Sequence, residues 1–327
     1  KKGHEVSLIY SIYDGHQPEL DEKIDIVGTQ IPSMKNCILK FCYHPFFTKR
    51  FDMKTLNLIQ SIKDNYDMLY FDFSQVHIYS KYVRHKNKVL MCHDVISQKF
   101  SRNGSWQLPY IRQTERKLLQ QATKIITFSQ KDCEYIKKVY GMDSFSVNFY
   151  LKNGNYKYIL DSLESNKFCF YGAWNRDENI DCLEWFLSNV YDKIKSDIEF
   201  VIIGGGMSQE YQDKLYSYER VKYLGFVDDP IVEISKCQAL IAPLRKGAGV
   251  KVKVIDALSS GTPVLGSDVA FEGIQDNGKY KLFKRLKTAE DYYKTINNWI
   301  NIDVIEKQNA ADEFFARYNV NHFTDLL

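Results

Sequence analysis

The sequence predicts two doubly wound α/β domains, and three observations carry that prediction. Short apolar, β-branched runs alternate with longer amphipathic stretches almost from end to end, the pattern of parallel strands joined by helices. The alternation lapses once, in 148–165, a Tyr- and Asn-rich stretch containing Asn153-Gly154-Asn155 that reads as a linker. A chain of 327 residues, 44% of them hydrophobic, is too long for one compact core and suits two ordinary domains. The expected division is 1–150, then 151–310, with 311–327 as a C-terminal helix returning toward the first domain.

In the first half the apolar runs predict strands over Glu5–Tyr10, Met68–Phe71, Lys88–Cys92 and Lys124–Phe128. Helical periodicity places helices over Lys54–Asp64, Gln113–Ala122 and Gln130–Tyr140. The second half repeats the scheme, with strands over Lys167–Tyr171, Glu199–Gly204, Val221–Leu224, Ala239–Ala242 and Thr262–Leu265. Its helices fall over Ile180–Ile194, Glu210–Tyr218, Pro230–Lys236 and Val250–Ser259. The last segment, from Ala289 to Leu327, is helical by pattern, and its aromatic residues Phe314, Phe315, Tyr318 and Phe323 need a surface to pack on. The chain opens at what reads as the end of a first helix, so the leading strand of such a domain, its loop and their site residues are expected to be missing.

Composition narrows the function. No apolar run approaches the roughly 20 residues that cross a bilayer, and Lys1-Lys2-Gly3-His4 leads into a strand rather than a signal-peptide core, which points to a soluble or peripheral protein. Seven cysteines, an odd number with no C-x-x-C pair, sit mostly in apolar runs such as Phe168-Cys169-Phe170. They read as buried thiols of a reducing compartment, not as a disulfide frame or a zinc site, and they leave the sequon Asn103-Gly104-Ser105 idle. Residues 1–150 carry 22 Lys and Arg against 15 Asp and Glu, and the remainder 22 against 26, so the first half is the basic one. Its densest cluster is Lys81, Arg84, Lys86 and Lys88, which suits either an anionic surface or a solvated helix end. The aromatic residues lack the interleaved basic pattern of a nucleic-acid surface.

The stretch from Pro243 to Val264 is the most informative. A strand ends at Pro243, a loop with Gly247, Ala248 and Gly249 follows, and a helix opens near Val250. Free backbone N–H groups at such a turn, backed by the positive end of the helix dipole, suit a diphosphate. Lys253 and Asp256 lie one turn apart and share a helix face, with the ammonium suited to phosphate and the carboxylate to sugar hydroxyls. Other features are bland by comparison. Gly204-Gly205-Gly206 lacks dinucleotide-fingerprint spacing and reads as a turn, and Asp228-Asp229-Pro230 reads as a helix N-cap rather than a metal site.

The run Gly247 to Pro263 resembles the nucleotide-sugar signature of the retaining family 4 glycosyltransferases of the GT-B fold. Four further pieces follow that family's order: Phe170-Tyr171-Gly172 with Asn179 and Trp185-Phe186, then Phe200 to Gly204, then Gly225 to Asp229, and Phe271-Glu272-Gly273-Ile274. The first half is similar more faintly, through Met91-Cys92-His93-Asp94-Val95, Glu115-Arg116 and Ser129-Gln130-Lys131-Asp132.

The resemblance implies two Rossmann-like domains facing across a cleft and transfer of a hexose-like residue from a UDP- or GDP-type nucleotide sugar, with retention of configuration and without a metal or other cofactor. It implies catalytic roles for His93, at a strand end facing the donor sugar, and Asp256, where the family has a longer glutamate. Donor contacts are expected from Gly172, Arg176, Gly247, Ala248, Gly249, Val250, Lys251 and Lys253. Ala248 and Ala173 stand where some members carry an acid and a base, which leaves Arg176 and Lys253 to neutralise the diphosphate. A glycan or lipid-linked acceptor in bacterial surface-polysaccharide synthesis, met at the inner face of the plasma membrane through the basic first domain of a cytoplasmic protein, completes the expectation. Two other functions fit the same residues: a non-hydrolysing nucleotide-sugar epimerase and a non-catalytic partner in a polysaccharide-assembly complex.

Overall fold

The structure is a computed structural model that describes residues 4–12, 24–30, 42–148, 166–247, 249–276 and 278–318. Two compact units divide it, Lys1–Val147 and Asn148–Leu327. Most of the expected linker, 149–165, lies outside the described residues, as do Ala248 and residues 319–327, with the end of the helix expected over 311–327.

In the first unit, β1 (Ser7–Ser11) and β2 (Asp25–Gln30) form a parallel pair. Helices α1 (Pro45–Thr48) and α2 (Met53–Ile62) precede a parallel sheet of β3 (Leu69–Asp72), β4 (Lys88–Cys92), β5 (Lys124–Thr127) and β6 (Phe145–Ser146), paired in that order. Every residue of β4 is buried, as a central parallel strand covered on both faces requires. Three helices connect the later strands: α3 (Ile96–Arg102), α4 (Leu108–Leu119) and α5 (Gln130–Tyr140). Ser129 caps α5 by accepting a hydrogen bond from the Asp132 N–H at 3.1 Å, and Gly141 ends it in the left-handed region at φ +73°.

Helix α3 is capped across space. Val95, which precedes it, offers no polar side chain, and the buried Glu115 carboxylate of α4 instead accepts from the N–H groups of Ile96 and Ser97 at 2.7 and 3.1 Å. The Tyr140 hydroxyl donates to the same carboxylate at 2.6 Å. Burial raises the Glu115 pKa, although these donors pull the other way.

Lys88 departs from the expected basic surface. Its side chain is buried and donates to the carbonyls of Ser80 and Val83 at 2.9 and 3.4 Å, so the aliphatic stem fills the core and the cluster loses a member.

The second unit holds one six-stranded, wholly parallel sheet in the order β12-β11-β10-β7-β8-β9. Its strands are β7 (Lys167–Tyr171), β8 (Glu199–Ile203), β9 (Val221–Gly225), β10 (Leu240–Ala242), β11 (Val264–Gly266) and β12 (Phe283–Arg285). The chain runs outward from β7 through β8 to β9, then returns to the other side of β7 for the remaining three. The order therefore reverses between β7 and β10.

Helices α6 (Asp177–Asn189), α7 (Gln209–Leu215), α8 (Pro230–Ser235), α9 (Val252–Ser259), α10 (Ala289–Asn297) and α11 (Val304–Tyr318) complete the unit. Two apolar layers form its core, one around Phe168, Phe170, Phe186 and Phe200, the other around Val254, Leu258, Phe271 and Phe314. The single helical stretch expected from Ala289 breaks into α10 and α11. Trp299 sits in the break, its indole N–H donating to Gln238 at 3.0 Å, and Phe314 and Tyr318 of α11 supply the packing their pattern demands.

Candidate active site

In an open doubly wound sheet, the crevice lies beyond the carboxyl ends of the two strands where the order reverses. Here those strands are β7 and β10, which end in the loops 172–176 and 243–251. Both loops lead into helices, α6 and α9, and neither helix has a side-chain cap on its first turn. Helix starts without a side-chain cap suit solvent or an anion.

The loop after β10 is shaped by its glycines. Gly247 and Gly249 take φ of +113° and +68°, values that a side chain would strain. Val250 packs against the core behind them. Lys251, expected at the donor, occupies the N-cap position of α9 and folds back: its ammonium donates to the Gly249 carbonyl at 2.5 Å and stands 3.9 Å from the buried Glu272 carboxylate. Its place is within the loop, bracing the turn.

Lys253 and Asp256 share a face of α9, as their spacing requires. The Lys253 ammonium donates to the Asn179 side-chain oxygen at 2.6 Å, and the Asn179 amide donates to the Ala173 carbonyl at 2.8 Å. Buried Asn179 thus ties the loop after β7 to α9. A side chain at Gly172 would collide with it, since a Cβ there would lie 2.6 Å from the Asn179 nitrogen. Burial lowers the Lys253 pKa, and Arg176 is close enough to add to that fall. Burial also pushes the Asp256 carboxyl up to about 7, and it raises the Tyr171 hydroxyl to about 12 with help from Asp256 and Asp229. The second unit therefore brings Gly172, Arg176, Lys253 and Asp256 around one strand-end crevice.

Three further side chains take part. Arg245 forms two hydrogen bonds to the Asp181 carboxylate, at 2.7 and 3.0 Å, and Lys246 stands 2.8 Å from the same group. Burial pushes Asp181 up, but the hydrogen bonds from Lys246 and Arg245 outweigh it and hold the carboxyl below its usual range. Together they pin the glycine loop to α6. Arg245 and Lys246 were visible in the loop's own sequence. Asp181, 64 positions from Arg245, carries no local signal.

The two features read as bland behave so. Gly204 and Gly206 turn at φ +110° and +89°, and a Cβ on Gly204 would come 2.1 Å from the Gly172 oxygen, so this turn supports the loop after β7. The Asp229 side chain accepts from the Ile231 N–H at 3.0 Å and caps α8, with Pro230 in the first turn. Among the described residues no cluster of three metal-ligating side chains forms.

In the first unit, His93 stands just past the carboxyl end of β4. Its Nε2 is 2.7 Å from the Asp72 carboxylate at the end of β3. Its ring stacks on Phe73, with centroids 3.7 Å apart and 16° between planes, and meets Phe128 edge-on at 4.9 Å. Phe73 has φ +76°, a conformation that costs a non-glycine residue about 1–2 kcal/mol. Hydrogen bonds hold it there, from its N–H to the Met91 carbonyl and from the Val76 N–H to its own carbonyl.

Residues 1–147 match the family described as Glycosyltransferase Family 4, and residues 165–301 match Glycosyl transferases group 1. No curated protein matches the chain by sequence. Among solved structures, S. aureus TarM superposes with a TM-score of 0.67 at 16% identity, over 87% of this chain and 59% of TarM. Sucrose-phosphate synthase from Thermosynechococcus elongatus gives 0.69 at 15% identity, over 98% and 86% of the two chains. Anabaena HepE, solved in complex with UDP, gives 0.61 at 15% identity, over 84% and 80%. The chain thus spans less than two thirds of TarM, and the likenesses show a common fold.

Proposed function

The chain belongs to the GT-B glycosyltransferases, one family matching each of its two units, and we propose that it moves a hexose-like residue from a UDP- or GDP-type donor to a glycan or lipid-linked acceptor. One observation carries this reading: two helices without side-chain caps, α6 and α9, begin at the point of strand reversal, with glycines at the turn and Lys253 beside them. That arrangement suits a pyrophosphate. UDP in the HepE structure and in a TarM complex supports the donor class.

The leaving diphosphate would gain charge as the bond from the anomeric carbon to its phosphate oxygen breaks. Helix N-termini, Lys253 and Arg176 would neutralise that charge, a contribution on the order of several kcal/mol in a dry site. The acceptor hydroxyl oxygen would bond to the anomeric carbon on the face the diphosphate leaves, which retains configuration, and its proton would pass to a phosphate oxygen. Asp256 would hold the sugar hydroxyls, the role that the family resemblance implies for its position. The family resemblance supports retention and a surface-polysaccharide acceptor. The basic first unit and the exposed Trp106 support docking at an anionic membrane face.

Replacing Lys253 with Ala tests the donor site. Losing a charge-assisted contact should weaken UDP binding about 10- to 100-fold by calorimetry, with a matching fall in transfer. An unchanged UDP dissociation constant would overturn the assignment.

A further inference from the structure

The pairing of His93 with Asp72 has a consequence for the ring's proton. A carboxylate can only accept, so the Nε2 that lies 2.7 Å from Asp72 carries the hydrogen, and in the neutral ring Nδ1 is then the acceptor. The register explains why the two groups meet. Asp72 is the strand partner of Met91, and His93 lies in the bend just after β4, so the register brings both groups to the same end of the sheet. Phe73 fixes the remaining freedom of the ring by stacking nearly parallel on it, while Phe128 closes the edge. The left-handed backbone at Phe73 is what turns its ring under the imidazole, and Phe73 is held by β4, the strand that leads into His93. Strained, over-determined backbone of this kind is found where a side chain must be held in one place.

We infer that Asp72 is a positioning residue for His93, holding it as the Nε2–H tautomer so that Nδ1 accepts a hydrogen bond from a sugar hydroxyl of the substrate. The functional half of this statement rests on the glycosyl-transfer reading above. Asp72 itself touches no reacting atom. A solvent-exposed ion pair with no such role would leave the tautomer and the rate indifferent to the carboxylate.

The test compares the full-length protein with Asp72→Asn and Asp72→Glu, using ¹⁵N-histidine NMR at neutral pH, UDP calorimetry and transfer rates. Asn can present its amide N–H₂ to Nε2 and so reverse the tautomer. The expected result is a shift of the His93 ¹⁵N signals toward the Nδ1–H form and a fall in kcat on the order of 100-fold, as a misplaced contact group produces. UDP affinity, set by the second unit, should stay within about twofold, the same few tenths of a kcal/mol that distant sites share. Asp72→Glu, which keeps an accepting carboxylate, should keep the wild-type tautomer and recover most of the rate. An Asp72→Asn protein with full rate, or one that loses rate with its tautomer unchanged, would overturn the inference. Failure of the broader reading would show separately, as wild-type protein that binds no UDP or as His93→Ala with undiminished transfer.

Discussion

Asp256 shows how burial rather than neighbours sets a residue's behaviour. Its carboxyl is raised to about 7 by loss of solvent, so the folded protein binds a proton there that the unfolded chain releases near pH 4. Stability should therefore fall as pH rises from about 4 to 7, by up to about 4 kcal/mol, and Asp256→Asn should flatten that slope in urea titrations. A sugar hydroxyl donating to the carboxylate favours the ionised form, so the advantage of UDP-sugar over UDP should grow as pH rises through about 7. Equal pH profiles for the two ligands would remove Asp256 from the sugar site. The position of Asp256 on the Lys253 face was legible from spacing alone. Its raised pKa was not, because desolvation depends on how the folded chain covers the helix. The inward turn of Lys251 was hidden for the same reason: Glu272, its buried counter-charge, lies on a different loop.

At the scale of elements, strands with unbroken apolar runs were the easiest to read: β4 and β7 and helix α5 fall where the sequence placed them. Helix starts were harder where proline was involved. Helix α4 begins at Leu108 rather than Gln113, because Pro109 is tolerated in a first turn that needs no donor. Short elements such as β6, β12 and α1 escaped notice, since two to four residues give no period. Contacts between loops were the least legible. Gly204 is the sharpest case, for its fault as alanine would be a clash with a carbonyl more than 30 positions away. Gly204→Ala should destabilise the second unit by about 2–4 kcal/mol and weaken UDP binding as the loop after β7 is displaced. Thermal melts and calorimetry read both effects, and a variant with wild-type melting would contradict the packing described.

The whole molecule consists of two units, each with its own parallel strands and core. The division was visible in the sequence as a single lapse in periodicity, because each unit closes its hydrophobic layers from its own residues. What the sequence withheld at this scale was the assignment of work. Every donor-binding candidate but His93 belongs to the second unit. UDP at about 100 times its dissociation constant should stabilise the unit that binds it by about 2.7 kcal/mol. Calorimetric scans should show the second unit's transition moving upward with the first unmoved, and a shift confined to the first would place the nucleotide elsewhere.

The reversal of strand order beside β7 has a practical corollary. A crevice created by the path of the chain owes its existence to the backbone, so exchanging the residues along its rim leaves the hollow intact. Variant libraries confined to the exposed positions 173, 175 and 176 should therefore yield folded proteins in high proportion, provided that buried Trp174 and the Arg245 and Lys246 ties to Asp181 are kept. The scaffold is, in that sense, open to retraining.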